Sequence, residues 1–290
     1  MRKHSSRTLA VASVTLLILA AHPACAQVLE RLEKAPPAEH SGHTDDSDLL
    51  QGPSHQHHML HMTMGAQKCA PTFTYSEGPS GPAQWPGLCT TGKMQAPIDI
   101  EGARKLRIAT PNIKYEPVDL DIVDDCNRHR LLVKFPDNYW LRVGKKPYNL
   151  TELHFRTPGE TAVKGKRPRM SVQLVHFSPE GVFLVIEVPV VAGKENPVIK
   201  TLWDHMPDPG REIKVKGLKI NAADLLPADR SFNRYPGSLT TPICNEVATW
   251  MVMKNPIELS EAQIEQYAKR YRDNARPLQP ANGRPVSEPQ

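Results

Sequence analysis

From residue 69 onward, apolar residues recur in short runs broken by Pro, Gly, Asn and Asp rather than at helical spacing. HRLLVKF (residues 129–135), YWLRVG (139–144), MSVQLVHFS (170–178), GVFLVIEVPVV (181–191) and REIKVKGLKI (211–220) have the β-branched and aromatic content of strands. In the fourth of these, LVIEVPVV is nearly continuous in apolar residues, which predicts a central strand covered on both faces. Helical patterns are few. NPVIKTLWDHM (196–206) is one, and SEAQIEQYAKRYRDN (260–274) is the other, with Ser260 as N-cap and Gln263 at the capping-box position. The pattern predicts one β-rich domain over residues 68–286, with a frayed C-terminus at 287–290.

The first 67 residues read differently. Residues 1–26 have the layout of an export signal: Arg2, Lys3 and Arg7, then an apolar or small run from 9 to 21, then Ala24-Cys25-Ala26 before a cut at Gln27. The run is too short to span a bilayer, and no other stretch is apolar enough, so the expectation is a periplasmic or secreted protein with no membrane span after cleavage. Residues 27–67 are rich in Pro, Gly, His, Met and acids and are expected to be a disordered tail. Within it His55, His57, His58 and His61 stand beside Met59, Met62 and Met64. Imidazole with thioether suits copper, and the histidines alone suit nickel or zinc; the alternative is a solvated linker.

The net charge of +5 is mild and its basic residues are mixed with acids, which argues against a nucleic-acid surface. Removing the signal takes Cys25 and leaves Cys69, Cys89, Cys126 and Cys244. Four cysteines in an exported chain suggest two disulfides, with three possible pairings.

LTELHFRTPGE (150–160) carries the candidate chemistry. A strand reading His-x-His would put two imidazoles on one face and build half a zinc site. Here that face carries His154 and Arg156, and a guanidinium has no lone pair to give a metal.

Several segments resemble the α-class carbonic anhydrases. FTYSEGPSGPAQWPGLCTTGKMQAPIDI (73–100) is similar to the family's opening segment, with Trp85, Cys89, Gly92, Gln95 and Pro97 in order. NRHRLLVKF resembles the strand that begins Asn-Gly-His, and YNLTELHFRTPGET resembles YxLxQxHFHTPSEH. SVQLVHF resembles ExHLVHW, GSLTTPICNEVATWMVMKNPIELSEAQ resembles the GSLTTPPCxE segment, and NARPLQPANGRPV the closing one. The resemblance spans about residues 73–286. It implies a mainly β (α+β) fold in which a large, twisted, mostly antiparallel sheet of about ten strands carries short peripheral helices and a conical site. It also implies a Cys89–Cys244 disulfide, which would leave Cys69 with Cys126.

Carried over residue by residue, the family's three zinc histidines fall on His154, Arg156 and Gln173, so one ligand is retained. The proton-shuttle histidine falls on His129, with Arg128 in place of the preceding glycine. The hydroxide-orienting pair falls on Thr240 and Glu160. The glutamate that holds the third ligand has become Ser171, and the glutamine behind the first has become Glu152. The apolar wall is kept as Val175, Val185, Leu239 and Trp250, and Thr241 adjoins it. Catalytic zinc needs three protein ligands and one open position. One histidine does not supply that, and a cation at 156 would repel a dication by about 8 kcal/mol at 4 Å and an effective dielectric of 20. His176 reads as a structural histidine and His205 as a surface one.

Two functions are compatible with these residues. One is a binding or structural domain with no cofactor, whose partner would be a small anion or an extracytoplasmic protein. In it Arg156 either offers paired donors to the anion or closes the cone through a salt bridge to Glu160. The other is an active carbonic anhydrase whose zinc is held by an altered ligand set.

Overall fold

A computed structural model describes Cys69 and residues 71–137 and 139–290. Residues 1–26, expected to be an export signal, and residues 27–67, the expected tail with His55, His57, His58 and His61, lie outside the described residues. In chain order the strands are β1 (Asp99–Ile100), β2 (Arg104–Leu106), β3 (Pro111–Ile113), β4 (Val118–Asp125), β5 (Arg130–Lys134), β6 (Trp140–Val143) and β7 (Lys146–Arg156). They continue as β8 (Ala162–Val163), β9 (Met170–Phe177), β10 (Phe183–Ala192), β11 (Glu212–Ile220), β12 (Phe232–Gly237), β13 (Ala248–Met253), β14 (Ile257–Leu259) and β15 (Ser287–Pro289). Helices are α1 (Leu88–Thr91), α2 (Pro197–Asp204) and α3 (Glu261–Tyr271).

Among the described residues thirteen strands form one sheet, ordered β11-β4-β5-β7-β9-β10-β13-β12-β15-β2, with β3, β6 and β14 paired off that path. Most neighbours are antiparallel; β10–β13, β10–β14 and β15–β2 are parallel. The five strands read from the sequence are β5, β6, β9, β10 and β11. As its apolar run predicts, β10 lies inside the sheet, between β9 and β13.

Local chemistry explains both longer helices. Asn196 caps α2 by accepting from the N–H groups of Val198 and Ile199, and Pro197 fills the first turn, where no donor is needed. In α3 the side chain of Ser260 accepts from Gln263 N and the Gln263 side chain accepts from Ser260 N, which is the expected capping box. Gln263 also bonds both backbone groups of Asn196, tying the two helix starts together. Trp203 of α2 stacks on Tyr267 of α3 at 5.2 Å and meets Phe155 of β7 edge-on at 4.8 Å. Each such fully buried side chain contributes on the order of 2 kcal/mol. Leu153 and Phe155 thus face the core while His154 and Arg156 take the other side of β7.

Both disulfides are present, Cys89–Cys244 and Cys69–Cys126. The chain end corrects the expectation of fraying at 287–290. Ser287–Pro289 form β15, which pairs with Arg234 of β12 and with β2, and the preceding Val286 packs against the buried cluster that includes Tyr235 and Trp250.

Candidate functional site

A one-residue bulge in β7 sets the register of the site. Leu150 faces His176 across the β7–β9 pair, but Glu152 faces Val175, so one extra residue is absorbed between them. Without it Leu153 would lie opposite Gln173; with it His154 does. The apolar wall follows from two more pairings, Val175 with Val185 and Val185 with Trp250, which line up three side chains across β9, β10 and β13. Leu239, Thr240 and Thr241 enter from the segment after β12, which the Cys89–Cys244 disulfide ties to α1. These residues, with Arg128, Arg130, Glu152, Arg156 and Phe183, line a cavity of about 210 Å³.

Its floor is a closed chain of hydrogen bonds. Thr240 Oγ1 donates to Glu160 Oε2 at 2.8 Å, and Gln173 Nε2 donates to the same oxygen at 2.8 Å. The amide orientation is thereby fixed, and Gln173 Oε1 faces His154 Nε2 at 2.8 Å. A carbonyl oxygen only accepts, so His154 carries its proton on Nε2, and its Nδ1 accepts from Arg130 Nη1 at 3.2 Å. Burial pushes the His154 imidazolium down, and the guanidinium groups of Arg156 and Arg130 add to this against the contact with Glu152, so the ring is neutral. Burial alone would raise Glu152; the Arg130 guanidinium, 2.9 Å away, opposes that, and the carboxyl is held well below the usual range.

Arg156 is 1% exposed and its guanidinium is used internally. Nη1 donates to Tyr75 Oη at 2.8 Å and to the Asn274 carbonyl at 2.9 Å, Nε approaches Gln173 Oε1 at 3.4 Å, and Nε lies 3.6 Å from Glu160 Oε1. The group also lies over the Tyr75 ring. Of the two roles the sequence left open for Arg156, the geometry has the salt bridge. Nε and Nη1 of Arg156 are thus directed at protein oxygens, while the side chain still lines the cavity.

His129 stands apart from this cavity. It follows the short 3-10 turn Cys126–Arg128, has a left-handed backbone with φ of 56°, and lines a different cavity with Tyr75 and Arg272. Arg130, at the start of β5, reaches the cavity in its place, anchored by Asp125 at 3.2 Å and Glu152 at 2.9 Å. The sequence reading missed Arg130, Tyr75 and Asn274. Arg130 was detectable by alternation, since it shares a strand face with Leu132, the partner of His154. Tyr75 and Asn274 sit inside the quoted opening and closing segments, and no local signal assigned them to Arg156.

The three positions that would hold zinc therefore do not fit it. One is an imidazole whose Nε2 holds a proton for Gln173, one is a buried cation, and one is a neutral amide pinned by Glu160. Among the described residues no group of three or more His, Cys, Asp or Glu is arranged to hold a metal ion.

Comparison with known proteins places this geometry. The sequence profile of the eukaryotic-type carbonic anhydrases matches residues 80–290. A carbonic anhydrase from Nostoc sp. is 34% identical over 223 residues, covering 73% of this chain and 84% of the relative. A hyperthermostable carbonic anhydrase from an active hydrothermal vent chimney superposes with a TM-score of 0.71 at 35% identity, covering 75% of this chain and all of the other. Dioscorin complexed with ascorbate superposes with a TM-score of 0.66 at 28% identity, covering 74% of this chain and 97% of the other.

Proposed function

Since the chain belongs to the eukaryotic-type carbonic anhydrase family, we propose that it is a member that has exchanged zinc chemistry for a closed hydrogen-bonded floor and acts as a binding or structural domain. The observation that carries this reading is the bond from His154 Nε2 to Gln173 Oε1, with Arg156 filling the adjacent ligand position. A ligand nitrogen must present a lone pair to the metal, and this one is engaged by the Gln173 amide oxygen with a guanidinium at the neighbouring ligand position. Relatives with the same fold support a binding role, since one solved structure is dioscorin with ascorbate bound. For this chain, we propose that the cavity above His154, Gln173 and Thr240 takes a small ligand, with Val175, Val185, Leu239 and Thr241 on its walls and Arg128 and Arg130 at its side.

Export to the periplasm or the medium belongs to the same proposal, supported by the signal-like residues 1–26 and two disulfides. No helix among the described residues is long and apolar enough to cross a membrane. We also propose that His55, His57, His58 and His61 bind copper or nickel in the mature chain.

One observation favours the alternative of an active carbonic anhydrase: the Thr240–Glu160 pair, which orients zinc-bound hydroxide in the family, is intact at 2.8 Å. In the scaffold reading that pair serves Glu160, a fully buried carboxylate that would otherwise lose an acceptor bond. Stopped-flow measurement of carbon dioxide hydration by the mature protein incubated with excess zinc separates the two. Background rates fit the scaffold, and hydration abolished by His154→Ala fits the enzyme.

A further inference from the structure

Alternation along β10 carries Val185 into the cavity above His154 and sends Glu187, Pro189 and Val191 into a second one farther along the same face. The two cavities share no lining residue. The second has a volume of about 640 Å³, within the range of small-molecule sites. Its walls are apolar, with Ile100, Pro189 and Val252 inside and Pro256, Val163 and Val191 at the surface, the two valines 42% and 39% exposed.

The polar groups around these walls are unevenly matched. Arg167 has one hydrogen bond, from Nη2 to the Arg276 carbonyl at 2.6 Å, while its Nε is buried without a partner. Among the described residues no carboxylate lies within ion-pair distance of Arg167, Lys164 or Lys166, all of which line the cavity. The lining acids are otherwise engaged or distant from the interior. Glu288 is paired with Lys254, and Glu101 is exposed at the rim. Glu187 accepts from Glu160 N at 3.1 Å, Thr161 N at 3.3 Å and Thr161 Oγ1 at 2.5 Å. Burial and the charge of Glu160 push the Glu187 carboxyl up, and these three hydrogen bonds direct its oxygens at the backbone of Glu160 and the backbone and side chain of Thr161 rather than at the cavity. A half-buried guanidinium that no carboxylate hydrogen-bonds, although the charges of Glu160 and Glu187 act on it, stands beside two ammonium groups outside any ion pair and an apolar hollow, an arrangement complementary to a molecule with an anionic head and an apolar body.

We propose that this cavity is a second binding site, for an amphipathic organic carboxylate whose head pairs with Arg167 and whose body lies on Ile100, Pro189, Val191 and Val252. The site shares no lining residue with the cavity above His154, although Glu187 of the one accepts from the backbone of Glu160 beneath the other.

The test is calorimetric titration of the full mature chain with decanoate, decanol and decylamine as probes. Decanoate binds once per chain, at least about tenfold more tightly than decanol, and decylamine binds more weakly than either. Arg167→Ala removes the advantage of decanoate over decanol, and Val191→Trp, which fills the mouth, weakens both. No saturable decanoate binding, equal affinity for decanoate and decanol, or decanoate binding unchanged in either variant would overturn the proposal. Should Arg167→Ala fail to fold, the probe comparison and Val191→Trp decide the matter by themselves.

Discussion

His154 and Gln173 stand directly opposite each other on β7 and β9, and the imidazole donates its Nε2 proton to the amide oxygen at 2.8 Å. This bond occupies the nitrogen that a metal would need. Glu160 enforces it from one side by fixing the amide, and Arg130 from the other by occupying Nδ1.

The double change Arg156→His with Gln173→His removes both obstacles and is expected to create zinc binding at His154, read as zinc per chain after dialysis. Hydration activity should stay weak. Ser171 offers no carboxylate to orient the third imidazole, and losses of this kind cost about 10 to 100-fold. Adding Ser171→Glu should raise it. No zinc uptake by the double variant would show that the backbone no longer holds the ligand geometry.

Arg156→Met should destabilise the fold by about 3 kcal/mol in urea unfolding, because it strands one partner of a buried ion pair and frees the Asn274 carbonyl. Gln173, Thr240 and the Arg276 N–H still hold Glu160, which keeps the loss from being larger. A change below about 1 kcal/mol would mean that the pair contributes little beyond an exposed one.

Much of this fold is written locally. The five predicted strands, both longer helices and the capping box come from periodicity and end signals that act over a few residues. His154 and Arg156 were legible because they lie on one face of β7, and Gln173, on β9, through the resemblance of SVQLVHF to the family segment. Asn274 was not, since its role depends on a contact 118 residues away in sequence, and Arg130 was legible only through the alternation of β5, its partner His154 lying 24 residues away. The fate of the chain end was hidden for the same reason: SEP has no strand character of its own and is ordered by β12 and β2.

His176 supplies a pH test. It is fully buried, bonded to Tyr115 and to the Leu184 carbonyl, and burial pushes its imidazole down to about 4. The unfolded chain binds this proton near the ordinary histidine value of about 6.5, so the contribution is complete above that pH and is lost as pH falls toward 4. The loss is about 3 kcal/mol at most. Melting temperatures should fall between pH 6.5 and 4.5 in the native chain and fall less in His176→Gln; equal slopes would remove His176 as the cause.

Each disulfide closes a long loop. In the chain-entropy treatment removing Cys89–Cys244, with 155 residues between partners, costs about 5 kcal/mol, and removing Cys69–Cys126, with 57, costs about 4 kcal/mol. Paired Cys→Ala variants compared by denaturant midpoint check the order, which a more stable Cys89/Cys244 variant would reverse.

For the tail, a synthetic peptide of residues 52–66 should bind copper or nickel more tightly than a histidine-free scramble. Equal affinities would leave the segment a linker.

The most direct measurement is the zinc content of the unmutated protein lacking residues 27–67, determined after zinc loading and dialysis. Removing the tail histidines leaves only the folded domain to answer. The account predicts well below one zinc per chain, with no difference between this protein and its His154→Ala variant. One zinc per chain, lost on His154→Ala, would contradict it and make the site a metal centre with an unfamiliar ligand set.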